Sequence, residues 1–137
     1  MKQRRPKPDI RFSRGKRPWR QKWADAFRGL RWAVHEQSSF IVHFFAAAAV
    51  ITSAWLLGTF DTVRWSLLVL CIVMVIGGEM LNTSIETLAK AITSSHDPLI
   101  GRALDIASGA VLTVAFGAAV VGTVLFLESL AICLQGG

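Results

Sequence analysis

The chain has 137 residues, 53% of them hydrophobic, with a net charge of +6. That length suffices for one domain, and the hydrophobic fraction is too high for an ordinary soluble one. Twelve of the fifteen Lys and Arg residues precede residue 32, so the positive charge belongs to a basic arm beside a membrane and not to a nucleic-acid surface.

Residues 1–18 combine three prolines with dense positive charge and few apolar side chains, a composition that predicts a flexible tail near anionic headgroups. No apolar core followed by a small-residue cleavage site occurs there, so no cleavable signal peptide is expected. From 19 to 36, Trp19, Trp23, Phe27, Leu30 and Val34 recur every three or four positions, with Arg20, Arg28 and Arg31 mostly elsewhere. This pattern predicts an amphipathic helix lying in the membrane interface.

A first membrane span is predicted from about 40 to 60, since some ~20 apolar residues cross ~30 Å of hydrocarbon. Its one ionisable side chain is His43. A turn at residues 58–62 follows, with Trp65 as an interfacial anchor. The second span, about 66–89, is unusual in carrying Glu79, Asn82 and Glu86. Residues 91–101 contain the Ser, Asp, Pro and Gly that interrupt helices.

A third span is predicted from about 103 to 134. Its small residues, among them Gly109, Gly117, Ala118, Ala119 and Gly122, favour close helix packing within or between subunits. The fold class is therefore all-α, with three transmembrane helices preceded by a surface helix. The Lys/Arg bias puts the N-terminus in the cytoplasm. Three crossings then leave Lys90, His96, Arg102 and Asp105 on that same side. Cys71 and Cys133 lie in apolar runs without metal-ligand spacing and read as buried thiols.

On a helix, Glu79, Asn82, Glu86 and Lys90 fall within a sector of roughly 80°. Carboxylates cost at least a few kcal/mol in lipid, so this face is expected to meet protein interior or a wet cleft. Glu79 and Glu86 stand ~10 Å apart along the axis, too far to share one proton or one small ion unaided. Glu86, near Lys90, suits a hydrated divalent cation carried with phosphate oxygens. Glu79, deeper and beside Gly77 and Gly78, suits a general base for a hydroxyl arriving from the bilayer. The blander reading has Glu79 and Asn82 hydrogen-bonding between helices, and Glu86 and Lys90 forming an ion pair.

The run Glu79-Met80-Leu81-Asn82-Thr83-Ser84-Ile85-Glu86 resembles the E-x-x-N-[ST]-[AS]-I-E pattern of the prokaryotic diacylglycerol kinases, a family that includes the undecaprenol kinases. The stretches His96-Asp97-Pro98-Leu99, residues 103–112 and Ala26-Phe27-Arg28-Gly29-Leu30 extend the resemblance over about residues 24–127. It implies a homotrimer in the bacterial cytoplasmic (inner) membrane, with sites shared between subunits at the cytoplasmic interface. The implied reaction moves the γ-phosphate of ATP, bound with Mg²⁺, to the hydroxyl of a lipid alcohol.

Carried over by position, the resemblance makes Glu79 the catalytic base, Asn82 a polar positioning residue and Glu86 a metal ligand. Asp105 matches the aspartate of the family's A-K-D motif on the nucleotide side, where His96 is a further candidate. The lysine of that motif is Leu104 here, and Lys90 stands where the family usually has an aspartate. Because phosphoryl transfer depends on positioning and charge stabilisation, Lys90 or Arg102 is expected to replace the missing cation. Before Phe40 the family's glutamate is Gln37, which leaves Glu36 as the candidate second metal carboxylate. His43 matches a histidine common in the undecaprenol branch, with packing as an alternative role. The competing functions are a catalytically altered member serving as a lipid-binding or scaffolding membrane protein, and a channel or transporter subunit using the polar stripe as an ion path.

Overall fold

The structure, a computed structural model, describes residues 18–36, 38–93, 95 and 97–135, without the side chains of residues 35, 36, 38 and 39. The expected basic tail up to residue 17, Gln37 and His96 lie outside the described residues, as does the side chain of Glu36. Four helices follow one another: α1 (Trp19–Glu36), α2 (Ser38–Leu57), α3 (Thr62–Ile92) and α4 (Pro98–Gln135). No strand occurs among the described residues.

Three of these helices, α2, α3 and α4, are long and apolar enough to cross a membrane. At ~1.5 Å per residue α3 is about 46 Å long and α4 about 57 Å, so each exceeds the ~30 Å hydrocarbon layer and continues past it. The chain is a multi-pass, all-helical membrane protein. Large apolar side chains face outward on every span, as with Trp55 and Leu56 on α2 and Leu112 and Phe116 on α4. A bilayer or a neighbouring chain makes such exposure tolerable where water would not.

The helix limits depart from the expected spans for local reasons. α2 stops at Leu57, short of residue 60, because Gly58 takes φ +64° and its N–H returns to the Trp55 carbonyl at 3.1 Å. Thr59 and Phe60 are thereby freed to turn. Asp61 caps α3, accepting from the Arg64 backbone N–H at 2.9 Å, which starts the helix at Thr62, four residues earlier than expected.

At its other end α3 runs on to Ile92, and α4 begins at Pro98 instead of 103. Asp97 accepts from the backbone N–H groups of Leu99 and Ile100 at 2.8 and 3.3 Å, and Pro98 occupies the first helical position, where it lacks no hydrogen bond. The Asp-Pro pair that reads as a breaker is thus a helix start. The link between α3 and α4 shrinks to residues 93–97.

α3 and α4 form an antiparallel hairpin with the most extensive contact in the chain, while α2 lies more loosely against both. The tight core sits at the end nearest the α2–α3 turn. Ala54, Leu68 and Leu125 are buried there against Val50, Phe60, Trp65, Ile72 and Phe126. Phe60 packs between Trp65 and Phe126, with ring centroids 5.5 and 5.3 Å away. Arg64 bridges Asp61 and Glu128 at 3.2 and 3.4 Å, and the Thr59 hydroxyl donates to the Ser129 carbonyl at 3.2 Å.

Small residues that pack closely are alanine and serine, as with Ala54 and Ser129, and not the glycines of the spans. A Cβ added at Gly77, Gly78, Gly109, Gly117 or Gly122 would meet nothing within 4 Å. Of the two expected uses of that face, close packing inside one subunit is absent at these glycines. Gly58 is different, because its left-handed backbone resists any side chain. Gly58→Val should lower stability in detergent by about 1–2 kcal/mol, and chemical unfolding of the purified protein would measure it.

Candidate active site

Glu79 lies on the α3 face turned towards α2 and is 6% exposed, one of few buried polar side chains among the described residues. Its Oε1 lies 2.8 Å from His43 Nε2 across the α2–α3 contact. A carboxylate withdrawn from water requires such a partner, since an unpaired polar group buried this way costs roughly 1–3 kcal/mol. His43 is itself only partly exposed, so the pair is shielded from both sides.

One turn further along α3, the Asn82 amide Nδ2 donates to Glu86 Oε1 at 2.8 Å. This hydrogen bond fixes the Glu86 carboxylate on the same face. Asn82 Oδ1 and Thr83 Oγ1 are buried without a hydrogen-bond partner. Glu79 and Asn82 therefore do different things: one bonds between helices, the other along its own helix.

Two cavities flank this face. The first, about 650 Å³, is a mostly apolar groove among α2, α3 and α4, walled by His43, Ala47, Ile72, Val75, Ala119 and Phe126 among others. His43 is its polar boundary next to Glu79. The second, about 540 Å³, lies at the α3–α4 connection and is lined by Glu86, Lys90, Thr93, Asp97 and Leu104. Glu86 lines the second cavity, whereas Glu79, seven residues earlier on the same helix, lines neither and meets the first only through His43.

Of the expected site residues, Glu79, Asn82, Glu86 and Lys90 share the α3 face, and Glu86 and Lys90 line the same groove. Asp105 and Arg102 are exposed on α4 and are not part of that groove's wall. Leu104 is, in the place where the resemblance expects a lysine. His96 and the Glu36 side chain lie outside the described residues. No group of three or more His, Cys, Asp or Glu converges as a metal cage among the described residues.

For His43 the sequence offered a match to the undecaprenol branch, with packing as an alternative role, and no polar partner. Its partner is 36 positions away, and no local spacing reveals such a contact. The available signal was chemical: an imidazole in an otherwise apolar span needs a polar partner. The neighbouring span offered carboxylates.

Comparison with known proteins agrees with this architecture. Residues 24–126 match the family model of the prokaryotic diacylglycerol kinases, and the chain belongs to that family. It is 33% identical over 105 residues to an undecaprenol kinase of Bacillus subtilis, covering 77% of this chain and 85% of the relative. It is 37% identical over 108 residues to a diacylglycerol kinase of Synechocystis, covering 77% of this chain and 60% of that longer relative.

Proposed function

We propose that this protein is an ATP-dependent lipid kinase that phosphorylates the hydroxyl of a membrane lipid alcohol, a diacylglycerol or undecaprenol. The observation that carries the reading is the pair of dissimilar cavities beside one polar helix face. The apolar groove suits the hydrocarbon of an acceptor, and the polar groove suits a phosphate chain bearing a divalent cation. Membership of the kinase family and the names of both relatives support the same class of reaction.

In this reading Glu79 is the general base. As the acceptor oxygen bonds to the γ-phosphorus, the hydroxyl proton passes to Glu79, and the bond to the bridging oxygen breaks with its electron pair leaving on ADP. Protonated Glu79 then returns its proton to water. Glu86, held by Asn82 on the wall of the polar groove, would supply one hard oxygen ligand to magnesium arriving with ATP. A single protein carboxylate fits Mg²⁺, which commonly takes one or two of them together with substrate phosphates and water.

Lys90, on the same groove wall as Glu86, is the cation for the phosphate chain. Asp105, Arg102, His96 and Glu36 belong to the nucleotide and metal side of a site completed by a neighbouring subunit. The assembly is a homotrimer in the cytoplasmic membrane of a bacterium, with α1 as a surface helix and the N-terminus cytoplasmic. The Trp19, Trp23 and Phe27 side chains on α1 are all exposed, as an interfacial helix requires.

One specific feature favours a second reading. Leu104 puts a hydrocarbon side chain on the polar groove where the family pattern has a lysine. A lipid-binding or scaffolding member without phosphotransfer accounts for that substitution.

Phosphate transfer from radiolabelled MgATP to diacylglycerol and to undecaprenol, each in mixed micelles, separates the readings. Product with at least one lipid is expected from the wild type, and none with either lipid supports the scaffold. Glu79→Gln should lower turnover by about 10²–10⁴-fold while the purified oligomer stays assembled; undiminished turnover would remove Glu79 as base. Lys90→Ala should slow transfer at saturating lipid and raise the KM for ATP, and an unchanged KM would move the cation role to Arg102. Asn82→Ala frees the Glu86 carboxylate and should weaken Mn²⁺ binding, read by electron paramagnetic resonance with ATP present, by about 10- to 100-fold.

A further inference from the structure

We infer that His43 is the positioning residue of the base: its Nε2–H holds Glu79 Oε1, fixing the carboxylate so that Oε2 is presented to the acceptor hydroxyl at the head of the apolar groove. This rests on the reading of Glu79 as base and adds a residue from a different helix to it. Three observations carry it. The contact is short, 2.8 Å, and Glu79 is buried while His43 is shielded. Among the described residues Glu79 has no second side-chain partner, so the imidazole alone sets the carboxylate's orientation. His43 also walls the apolar groove, so the group that orients the base is the group an acceptor meets on arriving from the bilayer side.

The protonation states follow from the job. An ionised carboxylate only accepts hydrogen bonds, so the imidazole must donate from Nε2, and a neutral ring in the Nε2–H tautomer satisfies this. One carboxylate oxygen is then occupied, and the proton taken from the acceptor goes to the other. Without the imidazole, Glu79 keeps its chemistry and loses its aim. Misplacement of a reacting group by ~1 Å can cost about 10²-fold in rate.

The experiment compares His43→Ala, His43→Gln and His43→Phe, alone and combined with Glu79→Gln, in the micellar phosphotransfer assay. His43→Ala should lower kcat by about 10- to 100-fold with the KM for ATP unchanged. His43→Gln, whose amide N–H reaches the same place, should recover most of that loss, and His43→Phe, which restores bulk without a donor, should not. Added to Glu79→Gln, His43→Ala should cause little further loss, because both changes disable one unit. Rescue by Phe and not by Gln, or a full additional loss in the double variant, would overturn the inference and leave His43 a packing residue.

If Glu79→Gln retains full turnover, the base assignment fails and this inference fails with it. If the wild type phosphorylates no lipid alcohol, the proposed function fails, and the nitrogen-15 spectrum of the His43 imidazole decides the positioning contact separately. A single Nε2–H tautomer that changes on Glu79→Gln is expected. A mixed population indifferent to that change would overturn the contact.

Discussion

A carboxylate on a helix that crosses hydrocarbon must be given a partner, and much of this structure follows from how Glu79 obtains one. Insertion scales put an acidic side chain at a helix centre at about 2.5–3.5 kcal/mol. Glu79 is withdrawn from the lipid-facing surface of α3 and turned towards α2, where His43 meets it at 2.8 Å. Together with Ala54 and Val50 further along, this contact defines the face of α2 that packs inward. It also sets the boundary between the apolar groove and the polar face of α3.

The two ends of the molecule are built on different principles. Near the α2–α3 turn, the aromatic cluster of Phe60, Trp65 and Phe126, the Arg64 bridge to Asp61 and Glu128, and the Thr59–Ser129 hydrogen bond lock three helices together. Towards the α3–α4 connection, Asn82 Oδ1 and Thr83 Oγ1 are buried without partners, as Arg64 Nε and Ser129 Oγ are at the far end. The difference lies in packing: the far end holds the apolar core, and the near end holds a groove with polar walls. Open space beside the helix glycines leaves room there for lipid or another helix.

Within the polar face, spacing decides the division of labour. Glu79 and Glu86 are ~10 Å apart along α3, which in the proposed reaction separates proton transfer from cation binding. Each carboxylate has its own holder, His43 from another helix and Asn82 from the same one. The asymmetry is physically sensible. A group one turn away on the same helix is positioned by backbone geometry alone, whereas an interhelical partner depends on how α2 and α3 pack.

What the sequence determined by itself was whatever depends on local period and composition. Three long apolar runs implied three membrane-crossing helices, and the spacing of Glu79, Asn82, Glu86 and Lys90 placed them together on one helical face. The E-x-x-N-x-x-I-E run also pointed to the family to which the chain belongs. Element ends were less legible, because Asp97-Pro98 and Asp61 act as caps whose direction shows only in their hydrogen bonds. The tertiary structure alone decided that His43 meets Glu79, that the span glycines face open space, and that Leu104 lines the polar groove while Asp105 and Arg102 do not. These depend on the rotation and crossing of whole helices, which side-chain packing over many residues selects and which no short stretch of sequence encodes.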